Sequence, residues 1–163
     1  MLFRSTRCRT WILYQGRSTE LKIDNLTNFH INVDGGGTWN FHIPIGNGLY
    51  TDLSISMIMH KGYNLVRLNI IRHNTDNKDH LLDDTTDIHL ILRPDIEDRC
   101  FHEETKLNDD LKNKWEKSVS GFDKGFTFTP SNDRSLTMLG TKGDFKINPE
   151  YKYSIYQDRK SVV

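Results

Sequence analysis

From Thr38 to Ile43 every second side chain is apolar. Trp39, Phe41 and Ile43 share one side, and Asn40 and His42 the other. A period of two predicts a half-buried strand. Pro44 is expected to end it or to mark a sheet edge. Asp52 to Met59 repeats the pattern, with Leu53, Ile55, Met57 and Met59 opposed by Ser54 and Ser56. Lys61-Gly62 reads as a turn, so Tyr63 to Ile71 is predicted to return as the partner strand of a hairpin, with Val66, Leu68 and Ile70 on one face. Runs rich in aromatic and β-branched residues predict further strands at Thr10 to Gln15, Glu20 to Ile23, Phe29 to Val33 and Asp87 to Arg93. In the last of these Ile88, Leu90 and Leu92 are expected inward and His89 outward. Residues 72–86 form a polar, acidic loop, long enough to be functional or mobile.

The period changes near residue 105. Leu107, Leu111, Trp115 and Val119 recur every four residues, which predicts a helix from about Thr105 to Val119. Glu103, Glu104, Asp109 and Asp110 load its start, and Lys112, Lys114 and Lys117 its end, an order that suits the helix dipole. Gly121 is the expected stop. Short strands follow at Phe126 to Thr129, Ser135 to Leu139 and Phe145 to Asn148, split by Pro130 and Gly140, and residues 151–156 can add an edge strand. The pattern predicts an α+β fold: one domain, mostly antiparallel sheet or sandwich, with one long amphipathic helix packed late in the chain. Its expected parts are a flexible basic arm over 1–10, the domain over 11–157, and a frayed tail over 158–163.

Composition narrows the classes. The 163 residues are 36% hydrophobic and 10% aromatic, enough for a core and unlike a disordered chain. No apolar run approaches the roughly 20 residues of a membrane helix, and the N-terminus does not read as a secretory signal. Cys8 and Cys100 provide no disulfide framework, which points to a reducing setting. The formal net charge is zero, but residues 76–110 are acidic and both flanks basic. Such a distribution solvates loops or orients copies head to tail.

Candidate chemistry is sparse. Asp34-Gly35-Gly36-Gly37 leads into a strand pattern and lacks the Gly-Lys-Ser/Thr that opens a helix in a phosphate loop. A tight turn using positive φ is the better reading. No two of the seven histidines stand at the i, i+4 spacing of a helical zinc site. The crowd of Cys100, His102, Glu103 and Glu104 lacks a second partner cluster, so no metal and no cofactor are expected. There is no Gly-x-Ser-x-Gly elbow. Cys100 with a distant histidine is the remaining enzymatic reading, and no catalytic residue is assigned. Arg4, Arg7 and Arg9, mixed with Leu2, Phe3 and Trp11, form a basic segment able to touch an anionic surface or an RNA backbone.

A short basic N-terminus, a tryptophan-containing strand, the stretch LKIDNLTNFHINVDGGGTWNFHIPIG, a hairpin, a long polar loop and a late helix follow one another here. From Trp11 to about Trp115 this order resembles the small matrix proteins of plant-infecting rhabdoviruses. The resemblance implies a non-enzymatic protein that self-assembles and bridges an anionic membrane surface to the viral nucleoprotein–RNA. It would act in the host cytoplasm and at the inner face of the viral envelope. Arg4, Arg7, Arg9, Lys142, Lys146 and Lys152 would then meet lipid or RNA. Leu81 and Leu82, apolar residues inside a polar loop, need either a fold-back or a partner and are the expected self-association contacts. The other reading is a small β-rich binding module for carbohydrate or peptide, with Trp11, Trp39, Tyr50, Tyr151 and Tyr153 lining its groove.

Overall fold

A computed structural model describes residues 2–73, 80–99 and 108–150. Ten strands and one α-helix are present among them, and every strand pairing given by register is antiparallel. The α+β class with a late helix is therefore observed. The chain forms two compact units, Ser5–Ile96 and, separately, Met1–Arg4 with Glu97–Val163.

The first unit is built on a four-stranded sheet of order β3-β4-β5-β6, with β3 at Leu26–Ile31, β4 at Gly37–Gly46, β5 at Leu49–Met59 and β6 at Val66–Arg72. Register places Phe29 beside Trp39, Trp39 beside Ile55 and Ile55 beside Ile70. The odd-numbered positions of β4 and β5 thus make one apolar face, as their alternation predicts. At one end of that face Ile43, Ile45 and Leu53 are buried, covered by Ile12 and Leu82. Ile12 belongs to β1 (Leu2–Tyr14), which pairs with β2 (Arg17–Glu20) and with β7 (His89–Arg99). Backbone from Leu2 onward is strand, where a flexible arm over 1–10 was expected.

The turns follow local chemistry. Between β3 and β4 the Asn32 amide donates to the Gly36 carbonyl at 2.7 Å, and the Gly36 amide to Asp34 Oδ1 at 3.0 Å. Gly35 has φ +82°, and a Cβ on Gly36 would lie 2.7 Å from the Met57 carbonyl oxygen. The glycine run is a turn, as its sequence context predicts. Glu20–Ile23 does not continue as a strand. Asn25 Oδ1 accepts the Lys22 amide at 2.8 Å, and residues Ile23–Asn25 close into a 3-10 turn.

Pro44 lies inside β4, and Pro130 inside a later strand, so neither splits its strand. Pro44 stands beyond the last β3 pairing, at Phe41, and beside a register shift, so its missing N–H interrupts no ladder. In β7, Leu90 and Leu92 are exposed, against their expected inward placement; Ile88 alone of the three packs on the core.

The second unit contains α1 (Asp109–Ser118) and the meander β8 (Val119–Phe122), β9 (Gly125–Ser131) and β10 (Arg134–Leu139). Asn108 caps α1, its Oδ1 accepting the Leu111 amide at 2.8 Å. Trp115 packs on the buried Phe128, ring centroids 4.3 Å apart. The helix ends at Ser118 because Val119 is already extended and pairs with Phe128; Gly121 lies in β8. There a Cβ would meet the Phe145 ring at 2.8 Å, so glycine at 121 is what lets Phe145 lie against Phe126. Phe145–Asn148 is not a strand. Arg134 pairs with Asp98 at 2.9 Å, and that partner raises its already high pKa further. The start of the predicted helix, the Cys100–Glu104 cluster and the 151–156 edge strand lie outside the described residues.

Candidate functional site: the polar face of the four-stranded sheet

The even-numbered positions of β4 and β5 form the opposite face. Asn40 faces Ser54 and His42 faces Asp52 across the ladder. Alternation alone places these four polar side chains together. His42 Nδ1 and Asp52 Oδ1 are 2.7 Å apart. The His42 ring stacks on Tyr50, with centroids 4.3 Å apart and planes within 9°. The Ser54 hydroxyl donates to Asn40 Oδ1 at 2.6 Å and also contacts His73 Nε2. His73 is placed by its backbone amide, which donates to the Asp52 carbonyl at 3.0 Å just past the end of β6. Asn40, His42, Asp52 and His73, with Thr27, Phe41 and Leu53, line an open depression of about 420 Å³.

The lining groups offer hydrogen-bond donors and acceptors beside an aromatic stack. Asp52 is the one carboxylate among the lining residues. Ser54 and His73 resemble a nucleophile and base, but Ser54 is buried and committed to Asn40. No carboxylate orients the other nitrogen of His73 among the described residues, so the triad logic is incomplete. What remains is a half-exposed imidazole face on a tyrosine, with carboxylate, amide and hydroxyl groups beside it. No group of three or more His, Cys, Asp or Glu side chains among the described residues is placed to hold a metal ion.

The structure disperses most of the residues singled out by sequence. Arg9 is 8% exposed and gives two hydrogen bonds to Asp95, at 3.1 and 2.8 Å, so it is a buried pair rather than a lipid or RNA contact. Its guanidinium also lies 5.6 Å from the Trp11 ring centroid. Lys142 and Lys146 are exposed in the segment after β10; the side chains of Arg4 and Arg7, and Lys152, lie outside the described residues. Leu82 is 4% exposed and sits in the core, and Leu81 bridges to Tyr50, so the pair folds back on its own chain, where self-association contacts were expected. Trp39 and Tyr50 stand on opposite faces of one sheet and Trp11 belongs to another, so these three form no single aromatic groove; Tyr151 and Tyr153 lie outside the described residues. Cys8 is half-buried, and burial pushes its thiol pKa up, away from reactivity.

Sequence reasoning missed Arg72. Its guanidinium donates to the carbonyls of Thr86, Leu82 and Asp83 at 2.6, 2.9 and 2.7 Å. An arginine at the end of a strand, followed by an acidic loop holding two leucines, was the available signal.

Residues 5–160 match a family model described as glycogen debranching enzyme N terminal. The chain belongs to that family. No curated protein matches it, and no solved structure does. The family assignment overturns the viral matrix resemblance, together with the virion, nucleoprotein and envelope roles that it implied. That likeness rested on the order of strands, loop and helix, and on no short motif. No helix among the described residues is long and apolar enough to cross a membrane.

Proposed function

We propose that this chain is a non-catalytic module of a glycogen debranching enzyme and that it holds α-glucan on the polar face of β3–β6. The observation that carries the reading is the family match over residues 5–160. The depression supplies the rest. A pyranose presents hydroxyls to polar groups and a C–H face to rings, and here Asp52, Asn40 and His73 lie beside the His42–Tyr50 stack. A single lining carboxylate suits retention of glucan rather than its cleavage. Its place of work, in this reading, is the cell interior where glycogen is stored, and its working partner is the catalytic part of the enzyme.

The test is affinity electrophoresis of the purified chain in gels with and without glycogen, with reducing-sugar release measured in parallel. Retardation by glycogen, lost in His42→Ala and Asp52→Ala variants that still melt cooperatively, with no sugar released, is the expected result. Migration unaffected by glycogen would remove the glucan reading. Release of sugar by the chain alone would remove the non-catalytic one.

A further inference from the structure

Among the described residues, the apolar face of the four-stranded sheet is covered at one end only. At the other end Phe29 and Ile31 of β3, Met57 and Met59 of β5, and Val66 and Leu68 of β6 are all exposed, Ile31 and Met59 by about three quarters. These positions are neighbours. Ile31 pairs with Gly37, Gly37 with Met57, Met57 with Leu68, and Met59 with Val66. A Cβ on Gly37 would stand 3.0 to 3.3 Å from the rings of Trp39 and Phe29, so those rings lie over the glycine and keep the surface flat. None of the six side chains carries a charge.

We infer that this end of the sheet docks a second copy of the chain, face to face about a two-fold axis. Size is the first argument. The six side chains offer roughly 600 Å² of apolar surface, at the upper end of what a monomer ordinarily leaves open. Two copies would therefore remove roughly 1,200 Å² from water, which reaches the range of stable interfaces. Shape and charge agree. Twisted sheets pack face to face about 10 Å apart at about −30°, and an isologous contact needs only one self-complementary patch. The formal net charge of the chain is zero, so two copies meet without net repulsion. Two methionines give the patch side chains that adapt to their own image. A glucan is a poor occupant, since its hydroxyls would find no polar partner among these six residues.

The test is sedimentation velocity of the chain across a concentration series, at low and high salt. The expected species is a dimer of the 19.1 kDa chain, unweakened by salt, because apolar contacts are not screened. Met57→Lys should shift the association at least tenfold toward monomer. Leu68→Gln, gentler to the fold, should do so to a smaller extent, both with cooperative melts retained. Three results would overturn the inference. One is a monomer up to about 100 µM. Another is a dimer that both variants leave intact. The third is a dimer that the catalytic part of the enzyme replaces with a one-to-one complex lost in Met57→Lys, which would assign the face to that partner.

Discussion

Leu53 and Met57 stand on the same strand and the same face, four residues apart, yet the first is 2% exposed and the second 42%. Nothing local separates them. Each borders a serine, and each has one apolar neighbour across the ladder, Phe41 for Leu53 and Leu68 for Met57. The difference comes from elsewhere in the chain. Ile12 arrives from β1 and Leu82 from the loop after β6, and both land on the Leu53 end. Burial is thus a property of what covers a face, and strand pattern reports only which side waits to be covered.

Truncating the two residues gives the largest contrast. Leu53→Ala should cost about 3 kcal/mol, by lost transfer energy and the cavity left behind. Met57→Ala, measured at concentrations low enough to keep the chain monomeric, should stay within about 0.5 kcal/mol. Urea titration of both variants checks this. Equal costs would mean that Met57 is covered within a single copy, and both the comparison and the proposed dimer would fail together.

Next in size is the clasp that delivers Leu82. Arg72 spans three carbonyls of the loop, and with the Tyr50 backbone bonds to His80 and Leu82 it holds the loop against the start of β5. Arg72→Lys keeps the charge but loses the planar fork. It should cost about 2 kcal/mol, since carbonyls satisfied by the guanidinium lose their partner. Faster proteolysis within residues 80–88 should accompany the loss. If Arg72→Lys leaves the chain as stable and as resistant as the parent, Leu82 holds the loop without the clasp.

The opposite face sharpens the contrast, because its order comes from hydrogen bonds. Ser54→Ala removes the donor to Asn40 and the contact with His73, and should cost about 1 kcal/mol. Since the depression is lined by Asn40 and His73, the same change should weaken glycogen retardation by more than its small stability loss accounts for. Unchanged retardation would place the glucan contact away from this end of the polar face.

These contrasts show what was legible. The alternation at 38–43 and 52–59 placed Asn40, His42, Asp52 and Ser54 on one side and the apolar residues on the other, because a two-residue period is a backbone property. The glycine turn was legible too, since Gly35 needs its positive φ and Gly36 its bare Cα. Long-range pairing was not. Arg9 reads as a surface charge until Asp95, 86 residues away, is placed beside it. Leu82 reads as a spare hydrophobe until β1 and β5 meet. Pro130 reads as a strand end, and Pro44 as an end or an edge, because the sequence does not reveal which side of a strand has a partner. The family was missed for a related reason: an order of elements is shared by many β-rich modules, and this chain offers no short motif to choose among them.

The smallest effect is one of acid. Asp83 accepts from the Thr85 hydroxyl and from the Thr85 amide, the latter at 2.8 Å, and these bonds hold its carboxyl below the usual range. A carboxylate whose folded pKa is depressed adds stability that is fully present above the unfolded value, near 4, and is lost as pH falls through the folded pKa. The turn at Asp83–Thr86 should therefore stay closed at neutral pH and loosen only below about pH 4. Thr85→Val removes the hydroxyl, so Asp83 should titrate closer to its ordinary value and the loosening should begin at higher pH. A carboxyl-detected NMR titration of both forms reads the two values directly. Because Leu82 directly precedes this turn, its methyl signals should shift over the same pH interval, while those of Met57, at the uncovered end of the face, should not. Parallel shifts at both leucine and methionine would mean that acid loosens the whole sheet, and that the covered end owes nothing particular to the loop.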